Sequence, residues 1–264
     1  MSHDPLHPQP IPSTSSDGAP GSSEVFGNSG TKPAFNTNGS ADLSHVSQWV
    51  FDLDDTLYPA SSNIMTQVEH RMTQYVAKML DVPEEVATGI RNDYYRAYGT
   101  TLNGLMANHV VDTAEFLDYV HDIDASTIDP TPNLANLITA LPGRRIVYTN
   151  GSFKHAENIL EQLGLTEAFD EIFDVEASGF TPKPHREGFE KFVDHFEIPA
   201  SETVMFEDST QNLKTAASLG FTTVWVHDEE EALVRKLAES GEHIHFAADC
   251  LATFLSQAKT STSK

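Results

Sequence analysis

The sequence has a single cysteine, Cys250, which excludes an intrachain disulfide and a thiolate metal site and fits a reducing compartment. Basic residues are scarce. Sixteen lysines and arginines stand against 39 acidic residues, and the formal net charge of -23 repels nucleic acid phosphates and anionic lipid. No apolar run approaches the roughly 20 residues that span a bilayer, and no basic stretch followed by an apolar one opens the chain. These absences predict a soluble, cytoplasmic protein with neither a nucleic acid polymer nor a membrane as partner. Also missing are G-x-G-x-x-G, G-x-x-x-x-G-K and H-E-x-x-H, which excludes the usual dinucleotide, P-loop and zinc-protease scaffolds.

What is present divides by composition. Residues 1–44, with PLHPQPIPSTSSDGAPGSS and TNGS, are rich in Pro, Ser and Gly, lack arginine and show no apolar period, so they predict a disordered tail. The closing QAKTSTSK, residues 257–264, predicts a frayed end. The DEEEA run at 228–232 reads as the solvated start of a late helix.

Between the tails, short β-branched and aromatic runs alternate with helical patterns. VSQWVFDL, RRIVYTN, TVMFED and TTVWV have strand length. FKHAENILEQL, residues 153–163, places Phe153, Ala156, Ile159, Leu160 and Leu163 on one helical face, with Ser152 as N-cap and Gly164 as stop. Residues 210–219 repeat the device between Ser209 and Gly220. This alternation predicts an α/β fold, a doubly wound and mostly parallel sheet covered on both faces. Residues 60–128 instead read as helices at 63–80, 83–98 and 112–122. The expected organisation is therefore a core of residues 45–59 and 129–256 interrupted by an all-helical insert over 60–128.

Three strands end in oxygen-bearing side chains: FDLDD, YTNGS and FEDST. In open parallel sheets the ligand crevice lies outside the carboxyl ends of the strands, so these clusters should converge there. Asp52 and Asp54, two residues apart on extended chain, face one side with Cα atoms roughly 6.5 Å apart. Thr149 offers a hydroxyl, and the amides of Asn150 and Gly151 precede a helix, where phosphate oxygens are favoured. Glu207 and Asp208 bring the crevice to four carboxylates, which demands a cation, and oxygen-only donors select a hard ion such as Mg2+. Lys183, held between Pro182 and Pro184, supplies further positive charge. Asp55 reads as a cap of the following turn.

The ordered set DLDDT, VYTNG, Lys183 and FEDS, with a helical insert after the first, resembles the haloacid dehalogenase superfamily of phosphohydrolases that carry a helical cap of the first type. The resemblance implies that Asp52 is a nucleophile forming an aspartyl-phosphate, and that Asp54 protonates the leaving oxygen and then activates water. It implies that Thr149 and the Asn150 amide hold the phosphoryl oxygens and that Lys183 balances charge. Asp52, the Asp54 carbonyl and Asp208 would bind magnesium, with Glu207 reaching it through water. Asp54, close to Asp52 and Asp208, is expected to have a raised pKa.

Members that remove halide lack an aspartate two residues after the nucleophile, so Asp54 favours a phosphomonoester, a small-molecule substrate. DLDDTLYP together with YGTTLNGLM, residues 98–106, looks like the pyrimidine 5'-nucleotidase branch, which implies a nucleoside 5'-monophosphate as substrate. Another small metabolite, such as a sugar phosphate or phosphoglycolate, is the alternative. Asn103 and Gly104 either contact that substrate or turn between helices. A catalytically silent binding module on the same fold is disfavoured because every position of the set is filled.

Overall fold

A computed structural model of the chain describes residues 41–227 and 243–261. The expected tail over residues 1–40, the DEEEA run and the last three residues lie outside that span. Six strands form one parallel sheet in the order β3-β2-β1-β4-β5-β6. They are β1 (Gln48–Phe51), β2 (Arg144–Tyr148), β3 (Glu171–Phe173), β4 (Thr203–Glu207), β5 (Thr222–Val226) and β6 (Phe246–Ala248). From β1 the chain adds strands first to one side and then to the other, so the order reverses between β1 and β4. That reversal is where an open α/β sheet forms its crevice.

The strands read as near-continuous apolar runs because both faces are covered. Phe51, Val147 and Phe206 face α5 (Pro132–Thr139), α6 (Phe153–Leu163) and α9 (Leu251–Gln257), whereas Val50, Ile146 and Met205 face Phe189 and Phe192 of α7 (Arg186–Phe196) and Ala216 of α8 (Thr210–Ser218). Ser152 caps α6, its Oγ accepting from the His155 amide at 3.3 Å, and Gly164 ends the helix at φ 70°. Phe153 departs from the expected apolar face: it is 46% exposed, and His155 takes the inward position.

Between β1 and α5 lie four helices with a core of their own: α1 (Ile64–Leu80), α2 (Glu84–Tyr98), α3 (Thr101–Asn108) and α4 (Thr113–Val120). Tyr75 and Val76 of α1 pack there with Leu105 of α3 and Phe116 of α4. Asp112 caps α4 by accepting from the Ala114 and Glu115 amides. The segment around Gly104 is a helix, not a turn. A Cβ at Gly104 would stand 2.3 Å from the Tyr94 side chain, so the missing side chain lets α3 close on α2.

The boundaries of both tails need correction. Ala41 and Leu43, assigned to the tail by composition, are 3% and 0% exposed. Leu43 N donates to Lys259 O and Lys259 N to Ala41 O, each at 2.8 Å, and Lys259 also pairs with Asp42. These two segments thus satisfy each other's backbone, a partnership between residues more than two hundred positions apart that local composition does not report. Among the described residues no helix is long and apolar enough to cross a membrane.

Candidate active site

Parallel pairing of Phe51 with Phe206, whose rings stack at 4.6 Å, carries β1 and β4 forward in step to Asp52 and Glu207. The Asp52 amide continues the ladder by donating to Phe206 O at 2.9 Å. Beyond it the chain turns sharply, with Asp55 at φ 60° and Thr56 Oγ1 donating to Asp52 Oδ2 at 3.1 Å.

Lys183 reaches this point from the loop after β3. Its Nζ donates to Asp52 Oδ1 at 2.6 Å, Glu207 Oε2 at 2.7 Å and Tyr148 O at 2.8 Å, which uses all three ammonium protons. Asn150 clasps the same residue by its backbone, accepting from Lys183 N at 2.8 Å and donating to Lys183 O at 3.0 Å. The Asn150 side chain therefore holds the lysine loop.

Burial would push the Lys183 ammonium toward neutrality, but the Asp52 and Glu207 charges outweigh it and raise its pKa. The acids respond in the same direction. Burial and the neighbouring Glu207 charge push Asp52 up to about 7. Burial raises Glu207 to about 7, and burial with the Asp52 charge raises Asp208 to about 6. Donor oxygens of Asp52, Glu207 and Asp208 lie within 4.8 Å of one another. Crowded, desolvated and oxygen-only, this set fits a hard divalent cation. Glu207 also has protein donors on both oxygens, Lys183 on one and the Ser209 amide at 3.2 Å on the other.

Asp54 differs from expectation. Burial would raise its pKa, but the His155 charge and hydrogen bond, with the Tyr58 hydroxyl, bring it below the usual carboxylate value. His155 Nε2 lies 2.8 Å from Asp54 Oδ1 and Tyr58 Oη donates to the same oxygen at 2.5 Å. Neither partner was singled out from the sequence. Their spacing held a signal: Tyr58 follows Asp54 by four residues, and His155 sits one helical turn after the TNG turn that the motif places beside Asp54. The His155 ring stacks on His121, centroids 4.4 Å apart and planes 19° from parallel, and His121 Nδ1 lies 2.9 Å from Ser152 Oγ.

The turn after β2 brings Thr149 and Gly151 to the same crevice. Gly151 N donates to Thr149 Oγ1 at 2.9 Å, so this amide, expected to serve phosphate, is occupied by its own turn. A Cβ at Gly151 would stand 3.0 Å from the His155 ring and 3.3 Å from Thr149 Oγ1. Glycine keeps that approach to Asp54 open.

One cavity of about 850 Å³ takes in Asp52, Asp54, Thr149, Asn150, Gly151, Lys183, Glu207 and Asp208. Its walls continue onto Met65, Val68 and Met72 of α1 and Arg91, Asn92 and Tyr95 of α2. Apolar side chains of α1 thus line the cavity as well as packing against neighbouring helices. Asn103 does not line it. The Asn103 side chain donates to Phe180 O at 3.1 Å and Tyr98 O at 3.4 Å, joining α3 to the loop after β3.

Comparison with known proteins agrees with this architecture. The chain is 25% identical over 207 residues to Phosphate metabolism protein 8 of Saccharomyces cerevisiae, covering 72% of this chain but only 58% of that protein's length. It is 25% identical over 190 residues to Glyceraldehyde 3-phosphate phosphatase of Methanocaldococcus jannaschii, covering 66% of this chain and 82% of that one. Among solved structures it resembles a HAD phosphatase from Thermococcus onnurineus, with TM-score 0.53, 16% identity and coverage of 81% and 100% of the two chains. A dehalogenase solved with an intermediate complex is equally similar in fold, with TM-score 0.53, 13% identity and coverage of 84% and 99%. The model of the haloacid dehalogenase-like hydrolases matches residues 49–220, well over half of the sequence and every strand-end cluster of the cavity, and the chain belongs to that family.

Proposed function

We propose that the chain is a magnesium-dependent phosphomonoester hydrolase acting through an aspartyl-phosphate on Asp52. The observation that carries this reading is Asp54, a second carboxylate in the cavity two residues after Asp52, held at one oxygen by His155 and Tyr58. Fold alone does not choose, since both a dehalogenase and a phosphatase share it at the same TM-score. Halide leaves as an anion without a proton. An alkoxide leaving a phosphate ester needs one; Asp54, ionised before substrate binds, would take up a proton beside the negative charge of the bound phosphate and pass it to the departing oxygen.

In this reading an Asp52 oxygen attacks phosphorus while Asp54 protonates the departing oxygen; Asp54 then takes a proton from the water that cleaves the acyl phosphate. Thr149 and the Asn150 amide hold the phosphoryl oxygens, and Lys183 fixes Asp52 and offsets its charge. Asp52, Asp208 and the Asp54 carbonyl would hold magnesium, with Glu207 behind them; when bound, the ion offsets charge on the phosphoryl oxygens. The four helices between β1 and α5 would act as the cap that sets the substrate.

For the substrate we favour a nucleoside 5'-monophosphate, on the likeness of DLDDTLYP and YGTTLNGLM to pyrimidine 5'-nucleotidases. A cavity of about 850 Å³ has room for one. The phosphatase relative that acts on glyceraldehyde 3-phosphate supports a second reading, a small sugar phosphate. Phosphate release from a panel of nucleotides and sugar phosphates, with and without magnesium, tests both; no release from any ester would remove the reading.

A further inference from the structure

We propose that Tyr58 and His155 are positioning residues for Asp54: both bind its Oδ1, which leaves Oδ2 as the oxygen that carries the proton, and His121 of the helical segment seats the His155 ring. This rests on the phosphatase reading above and specifies which oxygen of Asp54 does the work.

The geometry is asymmetric. Tyr58 Oη at 2.5 Å and His155 Nε2 at 2.8 Å converge on Oδ1. Oδ2 lies on the side of the phosphate turn, 3.8 Å from where a Cβ would stand at Gly151. Two donors on one oxygen fix the rotation of a carboxyl group that would otherwise present either oxygen to the substrate. Their burial, 3% exposed for Tyr58 and 1% for His155, keeps water from competing for Oδ1.

His155 is itself held from one direction only. Its Nδ1 is buried without a hydrogen-bond partner, so the ring is located by Nε2 and by its stacking on His121. His121 follows α4 directly and is tied to Ser152, the N-cap of α6 in the sheet core. The contact that seats the end of the helical segment on the core is thus the contact that locates the ring behind the acid.

An Asp52 oxygen forms the bond to phosphorus, the ester P–O bond breaks, and its electron pair takes the proton from Asp54 Oδ2. Water then bonds to phosphorus, its proton returns to Asp54 Oδ2, and the Asp52 acyl-phosphate bond breaks to release inorganic phosphate.

The test compares Tyr58→Phe, His155→Leu and His155→Gln in the full chain with magnesium, on a nucleoside 5'-monophosphate and on p-nitrophenyl phosphate. Tyr58→Phe removes one oxygen and is the variant whose folding is safest; a thermal melt checks each. With the alkyl ester, Tyr58→Phe and His155→Leu should lower kcat about 10- to 100-fold with KM within about threefold. His155→Gln, which can still donate to Oδ1, should recover most of the loss. Nitrophenolate departs without a proton, so its first turnover should stay within about threefold of wild type, and a burst should appear because only the water step is slowed. Raised KM at unchanged kcat, or equal slowing of both esters without a burst, would overturn the inference. If wild type hydrolyses neither ester, the underlying reading falls with it; an active wild type with insensitive variants overturns the positioning role alone.

Discussion

The Nζ of Lys183 lies 2.6 Å from Oδ1 of Asp52, a contact that joins the loop after β3 to the end of β1 across 131 residues of sequence. Asp52 and Glu207 share this one cation, and side-chain exposure of 1% for both Lys183 and Glu207 leaves little solvent to replace it. The orientation of Asp52 thus depends on a residue from the far side of the sheet.

Replacing Lys183 with Met should therefore do more than lower activity. Removing one partner of a buried ion pair leaves the others uncompensated, at a cost of about 3–5 kcal/mol, so the urea midpoint of the metal-free protein should fall clearly. An unchanged midpoint would mean that the triad contributes little to the fold.

Magnesium should stabilise the folded chain through Asp52 and Asp208. A ligand present at 100 times its dissociation constant adds about 2.7 kcal/mol, which a thermal melt with and without chelator resolves. Asp208→Asn should remove most of that response. A full response in the variant would place the ion elsewhere.

His121 gives a pH dependence. Burial, then the adjacent His155, hold its pKa down at about 3, against the upward pull of Asp54 and Asp118. An unfolded histidine titrates near about 6.5. Between those values the unfolded chain takes up a proton that the folded chain does not, so stability is full above pH 6.5 or so and declines as pH falls toward 3. The limiting slope is about 1.4 kcal/mol per pH unit. Denaturation of His121→Phe, which keeps a ring on His155, should show a flatter profile over this range; the same slope in both proteins would refute the assignment.

Leu43→Ala should cost about 2–5 kcal/mol, because Leu43 is wholly buried in the cluster with Phe51 and Phe206. A change below about 0.5 kcal/mol, as expected for a surface site, would contradict the packing of this segment.

How much of this was legible follows from the range of each interaction. The four longer strands, the cap at Ser152 and the convergence of Asp52, Thr149, Lys183 and Asp208 could be read because strand period, capping chemistry and the strand-end rule are local or topological. β3 and β6, at three residues each, are too short to show a period. The docking of Leu43 and Lys259, the closure of α3 at Gly104 and the joining of Asn103 to Phe180 O depend on partners far along the chain. Asp54 shows the same limit: proximity to other acids suggested a raised pKa, while His155, 101 residues away, reverses the sign.

The most direct measurement is chemical. The full chain, mixed with magnesium and a reactive phosphomonoester, is quenched in acid within a turnover and mapped by mass spectrometry. The account predicts an acyl phosphate on the peptide carrying Asp52, absent from Asp52→Asn, which folds but does not turn over. Phosphate on no aspartate, or undiminished turnover by Asp52→Asn, would contradict it.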